Sequence, residues 1–354
     1  MHIGILTGGG DCPGLNAVIR AVTLALHREG AARVTGIERG FHGLLTRRAR
    51  PLGPDSVADI LAVGGTVLGT HNTCNPFKDG ATGADRSAEA MDFVRELGLD
   101  ALVAVGGDGT MAIAHRFEKL GLPVVGVPKT IDNDLPHTER TFGFDSAVAV
   151  VAEALDRLAT TGRSHGRVMI AETMGRYAGW IALEGGLAGG ADAILIPEVP
   201  FDAFAVASLC RQREEQGLST LICIAEGAHA RGQGLTVHAT IPDSPDPIRL
   251  GGVGHALQHV LQPLVQSEVR TTLLGHTQRG GPPTAFDRIL ATRFGYHAAE
   301  LVLGRRYGRM VALQGDACVS VALDEVAGKT RLVPLDHPML KAARGIGISV
   351  GVAG

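Results

Sequence analysis

Short apolar runs rich in valine and isoleucine punctuate the chain: "HIGILT" at 2–7, "RVTGI" at 33–37, "ALVAVGG" at 101–107, "PVVGVP" at 123–128, "RVMIAE" at 167–172, "DAILIP" at 192–197, "STLICIAEG" at 219–227, "RTTLLG" at 270–275 and "MVALQG" at 310–315. Longer stretches of helical periodicity separate them, which is the signature of parallel sheets with crossover helices. In the first such helix Leu15, Val18, Ile19, Val22 and Leu26 share one face. Asp11 is placed to cap it, Pro13 suits its first turn and Gly30 ends it. The pattern predicts an α/β fold.

A chain of 354 residues exceeds the length over which one core keeps growing, so two lobes are expected, with the first ending near Pro136 after a polar loop. No low-complexity segment, charge run or internal repeat marks a linker. Apolar residues make up 45% and charged residues 19%, as in an ordinary soluble enzyme, and 49 glycines imply many turns and close backbone approaches. A formal net charge of −3 gives no bulk attraction for nucleic acid or an anionic membrane. Five scattered cysteines without a C-x-x-C pair suit a reducing, cytoplasmic setting and argue against structural zinc. The sequence shows neither a signal-peptide pattern nor an apolar run of spanning length, so no export or membrane anchoring is expected.

Three loops occupy the carboxyl ends of predicted strands, where parallel sheets bind ligands: "TGGGDCPG" at 7–14, "GGDGT" at 106–110 and "PKTIDNDLP" at 128–136. Gly8, Gly9 and Gly10 would let phosphate oxygens approach main-chain amides, or simply let helix and strand pack. The triplet matches neither the G-x-G-x-x-G nor the G-x-x-x-x-G-K-[ST] fingerprint. Asp108, flanked by glycines after a buried strand, reads as a magnesium ligand or as a cap for the helix near Thr110. Asp132 and Asp134 lie two apart in a loop that also holds Lys129 and Thr130, so one carboxylate can serve as a base while positive charge holds the other. A base beside a magnesium-bound phosphate is the minimum equipment for phosphoryl transfer.

Together with "RTTLLGHTQRGG" at 270–281, "PPTAFDR" at 282–288, "ETMGRYAGW", "IPEVPF" and "IAEGA", these loops resemble the phosphofructokinase family over about residues 1–315. The resemblance implies that family's fold, two lobes each built on a mainly parallel, Rossmann-like sheet flanked by helices. With chain economy, it places 1–137 and about 278–310 in a donor lobe, and 138–277 with a tail of about 311–354 in a sugar-phosphate lobe. It implies phosphoryl transfer from ATP, with Mg2+, to the 1-hydroxyl of fructose 6-phosphate. Asp132 would be the base, and Thr130 and Asp134 would order its loop. Gly10, Asp108, Gly109 and Thr110 would line the donor and metal site. Met174, Gly175, Arg176 and Glu226 would hold the sugar hydroxyls. His276, Arg279, Arg167 and Arg270 would hold the 6-phosphate, with Arg167 and Arg270 reaching in from a neighbouring subunit of a homotetramer.

Two departures from the family pattern bear on activity. Members that use pyrophosphate carry aspartate after the GGD and lysine at the second position of P-x-T-I-D-N-D, whereas this chain combines Gly109 with Lys129. Gly109 leaves room for a nucleotide α-phosphate, so ATP is the expected donor and pyrophosphate the alternative. The family arginine after "LG-x-x" is replaced in "LGTHNTCNPF" by His71 or Asn72, and Lys129 is expected to supply the missing charge. Leu24 stands where effector-controlled members carry a second arginine beside Arg20, so weak control by ADP or phosphoenolpyruvate is expected. A non-catalytic sugar-phosphate binder, a lipid or NAD kinase with its own GGDGT loop, and a longer ketose acceptor such as sedoheptulose 7-phosphate remain competing readings. His255 and His259 form a possible metal pair, although packing on a helix is the simpler role, as it is for Cys12. Arg47, Arg48 and Arg50 read as a solvated basic loop, Glu184 and Asp192 as surface or interface acids.

Overall fold

A computed structural model describes residues 1–30, 33–80, 82–240 and 248–352. In chain order its elements are β1 (His2–Thr7), α1 (Leu15–Arg28), β2 (Arg33–Ile37), α2 (Phe41–Thr46), β3 (Ala49–Leu52), α3 (Ser87–Leu97), β4 (Ala101–Gly106), α4 (Asp108–Lys119) and β5 (Val124–Pro128). There follow α5 (Phe144–His165), β6 (Val168–Thr173), α6 (Trp180–Ala188), β7 (Ala193–Leu195), α7 (Ala203–Glu215), β8 (Thr220–Ala225), β9 (Val237–Thr240), β10 (Ile248–Leu250) and α8 (Val253–Leu261). The chain closes with β11 (Val269–Leu273), α9 (Ala285–Leu303), β12 (Arg309–Gln314), β13 (Ala317–Ala322), α10 (Leu323–Val326) and α11 (Pro338–Gly345). All nine apolar runs form strands. No helix among the described residues is long and apolar enough to cross a membrane.

The described chain divides into two units, 1–146 with 279–330, and 147–240 with 248–278 and 331–352. The first carries a seven-stranded sheet in the order β13-β12-β5-β4-β1-β2-β3, parallel except where β3 and β13 add antiparallel edges. β1, β4 and β5 are buried along their whole length, which is why they read as unbroken apolar runs. Leu15, Val18, Ile19, Val22 and Leu26 are all buried, and α1 packs against α9. Gly295 permits that approach, since a Cβ there would lie 2.9 Å from the Val18 carbonyl oxygen. On the other face Phe41, Phe77 and Phe117 cluster, with ring centroids 5.7 and 4.8 Å from Phe117.

Three expectations about this unit change. α1 begins at Leu15 behind a left-handed Gly14 (φ 105°), with no side-chain cap, so Asp11 and Pro13 belong to the preceding loop. The first unit runs to Ser146 rather than stopping at 137, because Ser146 is bonded to Asp287 of the same unit. Residues 311–330, expected with the other lobe, pair as β12 and β13 at the edge of this sheet, where β12 continues the parallel ladder of β5.

The second unit holds a parallel four-stranded sheet, order β11-β6-β8-β7, with a core that includes Ile170, Leu195, Ile222, Ile224, Leu257 and Val269. Its C-terminal segment returns to the β7 edge, where Ser349 bridges Ala193. Trp180 opens α6 and donates its indole N–H to the Arg331 carbonyl at 3.0 Å.

Asp287, in the first turn of α9, is fully buried and ties that turn to α5. One oxygen accepts from the Ser146 amide at 2.8 Å and hydroxyl at 2.6 Å, while the other has no partner among the described residues. Burial pushes its pKa up to about 6, against the lowering effect of the Ser146 hydrogen bonds. A carboxyl raised in the folded state favours folding below its unfolded pKa and loses that contribution as pH rises through the folded value. Asp287 should therefore withdraw up to about 3 kcal/mol of stability between roughly pH 4 and 6. Denaturant unfolding of wild type and Asp287→Asn across pH 4–8 should show that difference emerging in the window; parallel curves would exclude it.

Candidate active site

The strand-end loops of β1, β4 and β5 meet in the first unit through specific hydrogen bonds. The Gly8 amide donates to the Val105 carbonyl at 2.8 Å and the Lys129 amide to the Gly106 carbonyl at 2.9 Å. Neighbouring side chains fill the space where larger residues would project. A Cβ on Gly8 would meet the Thr110 hydroxyl at 2.6 Å, and one on Gly10 would meet the Arg279 guanidinium at 2.8 Å. Lys129 is 3% exposed and its ammonium donates to the Gly10 carbonyl. Burial depresses its pKa, Cys12 and Asp132 counter that, and Arg279 adds to it. Arg279 Nη1 donates to the Asp11 carbonyl at 3.2 Å, so two cationic side chains flank the Gly10–Asp11 turn.

Asp132 is buried, and its amide donates to the Thr130 hydroxyl at 3.0 Å. Its Oδ1 has no hydrogen-bond partner among the described residues. The loop is braced from below: Thr141 donates its hydroxyl to the Thr130 carbonyl at 2.7 Å and its amide to Asn133 Oδ1 at 3.0 Å. Asn133 sits at φ 51°, a strained turn that presents its neighbour. Asp134 is half-buried on the same loop. Asp108 opens α4 without a side-chain cap bond at that helix, while Gly109 faces open space. Among the described residues no three His, Cys, Asp or Glu side chains form a metal cluster. Asp108 alone suits Mg2+, which takes one or two carboxylates together with substrate phosphates and water.

Around the replaced arginine, the 69–74 segment is held to this turn by Thr70, whose hydroxyl donates to the Gly9 carbonyl. His71 stacks on His42 with centroids 4.7 Å apart, and its Nδ1 accepts the Cys74 amide at 3.1 Å. Burial and the nearby Arg39 lower the His71 pKa, so it is neutral at pH 7. Asn72 is exposed. Neither residue restores the missing positive charge.

The second unit gathers the other expected residues. Gly175 adopts φ 137°, where a Cβ would lie 2.6 Å from the Ala178 carbonyl, and Arg176 follows at φ 51°. The Arg176 amide donates to Glu226 Oε1 at 3.0 Å, and the Met174 amide to Gln278 Oε1 at 3.3 Å. Gln278 is wholly buried and also bonds the Gly275 carbonyl at 3.0 Å, fixing the turn that carries the exposed His276. Arg167 and Arg270 are brought together by Glu268: Arg167 Nε donates to it at 2.6 Å, and Arg270 bonds its other oxygen. Burial raises the Glu268 pKa, yet the two arginines prevail and hold it below the ordinary carboxyl range. The positioning roles of Gln278 and Glu268 escape the sequence because their partners lie about a hundred residues away or on the far side of a strand end.

The remaining candidates are structural. His259 Nδ1 bonds the His255 carbonyl at 2.8 Å, which commits it to its helix. Cys12 is buried, with its thiol pKa pushed up to about 12 by that burial, so it is inert. Arg47 pairs with Glu96 and Arg50 with Glu38, the latter at 3.6 Å. Asp192 accepts the Leu221 amide at 2.8 Å and pairs with Arg213 at 3.0 Å, anchoring β8.

A family model described as Phosphofructokinase matches residues 2–302. The chain is 46% identical over 356 residues to "ATP-dependent 6-phosphofructokinase 2" of Clostridium perfringens, covering 98% of this chain and 97% of that protein. It is 47% identical over 334 residues to "Pyrophosphate--fructose 6-phosphate 1-phosphotransferase" of Amycolatopsis methanolica, covering 94% and 96%. Among solved structures, phosphofructokinase from Pichia pastoris in the T-state superposes with a TM-score of 0.80 at 32% identity, covering 92% of this chain and 35% of that longer one. The family match over residues 2–302, with identity of this extent across nearly the whole chain, places the chain in the phosphofructokinase family.

Proposed function

We propose that the protein is a 6-phosphofructokinase that moves the terminal phosphoryl group of ATP to the 1-hydroxyl of fructose 6-phosphate, giving fructose 1,6-bisphosphate and ADP. The observation that carries this reading is the unpartnered, buried Oδ1 of Asp132 on a loop whose Thr130 and Asn133 side chains are held by hydrogen bonds. In this reading Asp132 takes the hydroxyl proton as the new oxygen–phosphorus bond forms and the bond to the departing diphosphate breaks. Thr130 holds Asp132, and Asp134 completes the loop. Gly10, Asp108, Gly109 and Thr110 receive the donor phosphates, with Asn72 at the edge of that site. Mg2+, held by Asp108 and the donor, would offset charge on the phosphates. Lys129 and Arg279 supply positive charge at the Gly10 turn in place of the missing arginine. The 1–146 and 279–330 unit is thus the donor lobe. The other unit takes the acceptor, with Met174, Gly175, Arg176 and Glu226 on the sugar.

His276, Arg279, Arg167 and Arg270 take the 6-phosphate, as the family resemblance implies. The pairing of Arg167 and Arg270 on one carboxylate supports their acting as a clamp, contributed to a neighbouring copy in a homotetramer. Five free cysteines support a reducing, cytoplasmic setting.

Pyrophosphate is the second reading, favoured by Lys129 and by the Amycolatopsis relative. Gly109 weighs the other way. Nothing lies within 4 Å of a Cβ built there and its φ is unstrained, so the fold does not require glycine at this position. An open site for a nucleotide explains it better. A coupled turnover assay crossing ATP and pyrophosphate with fructose 6-phosphate and sedoheptulose 7-phosphate tests the proposal. ATP with fructose 6-phosphate should give the highest kcat/KM, and absence of turnover with every pair would show a non-catalytic binder.

Gly109→Asp should fold with an unchanged Tm and lose ATP kcat/KM by about a hundredfold, since like charges in contact cost several kcal/mol, while pyrophosphate use persists. Equal loss with both donors would refute the steric argument. Lys129→Ala should lower kcat by about tenfold or more with a smaller change in donor KM; a change confined to KM would assign Lys129 to ground-state binding.

A further inference from the structure

The second unit contains a cavity of about 390 Å3 between the Glu198–Pro200 turn, Arg231 and the C-terminal segment bearing Leu335, Arg344 and Val352. Its size falls in the range of small-molecule sites. None of the residues assigned above to donor or acceptor lines it. Among the described residues, no hydrogen bond or ion pair engages the guanidinium of Arg231 or of Arg344. The one carboxylate in the wall is already occupied. Glu198 accepts the Gly179 amide at 3.0 Å through Oε1 and 3.2 Å through Oε2, and the Val333 amide at 2.8 Å. Two arginines against that single acid leave surplus positive charge, while Val199, Pro200, Leu335 and Val352 provide an apolar surface. Leu335 is 62% exposed, so its side chain is accessible to the apolar part of a ligand in this cavity.

We propose that this cavity binds a small organic anion, with a carboxylate head between Arg231 and Arg344 and an alkyl or aryl body against Val199, Pro200, Leu335 and Val352. A guanidinium fork matches carboxylate geometry, and a carboxylate offers enough lone pairs for two forks. A fully hydrated inorganic ion gains nothing from the apolar wall. This binding site is independent of the phosphoryl-transfer reading and stands or falls without it.

The molecule carries its own reporter. Trp180 is the single tryptophan, its ring lies 4.3 Å from the Arg331 guanidinium carbon and 5.1 Å from the His337 ring, and His337 caps α11, which bears Arg344. The intact protein would be titrated with sodium hexanoate at constant ionic strength, followed by Trp180 emission and calorimetry, with acetate and inorganic phosphate in parallel. Hexanoate should bind saturably, and acetate and phosphate about tenfold more weakly or worse, because two or more buried methylenes account for that factor. Arg231→Gln and Arg344→Gln, both at exposed positions, should each weaken hexanoate about tenfold without lowering Tm. Lack of saturable binding, indifference to both substitutions, or equal affinity for acetate or phosphate would overturn the proposal. The comparison of hexanoate with acetate on wild type holds whatever the variants do.

Discussion

An ammonium group withdrawn from water costs several kcal/mol unless other dipoles replace its hydration. Lys129 answers that demand by donating to the Gly10 carbonyl, a bond spanning 119 residues that joins the end of β5 to the turn after β1. The geometry of the first unit's site follows from this contact. Glycine at 8, 9 and 10 keeps the turn narrow enough for the ammonium to reach it, with Thr110 and Arg279 filling the space where side chains would otherwise be. The same charge lies near Asp132 without a direct bond, and one oxygen of that carboxylate has no partner among the described residues.

The two units use different devices to hold their polar groups in place. In the first, main-chain turns are pinned by buried side chains such as Thr141 and Lys129. In the second, carboxylates and one amide do the pinning: Glu226 on the Arg176 amide, Gln278 on the Met174 amide, Glu268 on Arg167 and Arg270, and Glu198 on Gly179. Groups fixed in this way need little reorganisation on binding, which is the condition under which hydrogen bonds and charges contribute most to recognition and to a transition state.

The strands were legible because burial on both faces leaves an unbroken valine and isoleucine pattern, as in β4 and β8. β3 was not, because "ARPL" is a short, half-exposed edge with a proline and reads as loop. β13 is another edge, partly buried along its length, and its pairing with β12 moved residues 311–330 into the first unit. Loop chemistry was visible in residue types at strand ends, so Asp108, Lys129 and Asp132 stood out. What the sequence could not show was long-range partnership: that Glu268 bridges two arginines, that Gln278 fixes Met174, that Arg279 rests on Asp11, and that Gly14 rather than Asp11 precedes α1.

The account turns on the carboxylate of Asp132 as the acceptor of a proton. Asn at this position keeps the shape of the side chain and the amide bond to Thr130, and removes only the basic oxygen. Steady-state kinetics of Asp132→Asn with ATP and fructose 6-phosphate should show kcat lowered by about 10²–10⁴-fold with little change in the KM for the sugar phosphate. Turnover within a few-fold of wild type would contradict the assignment.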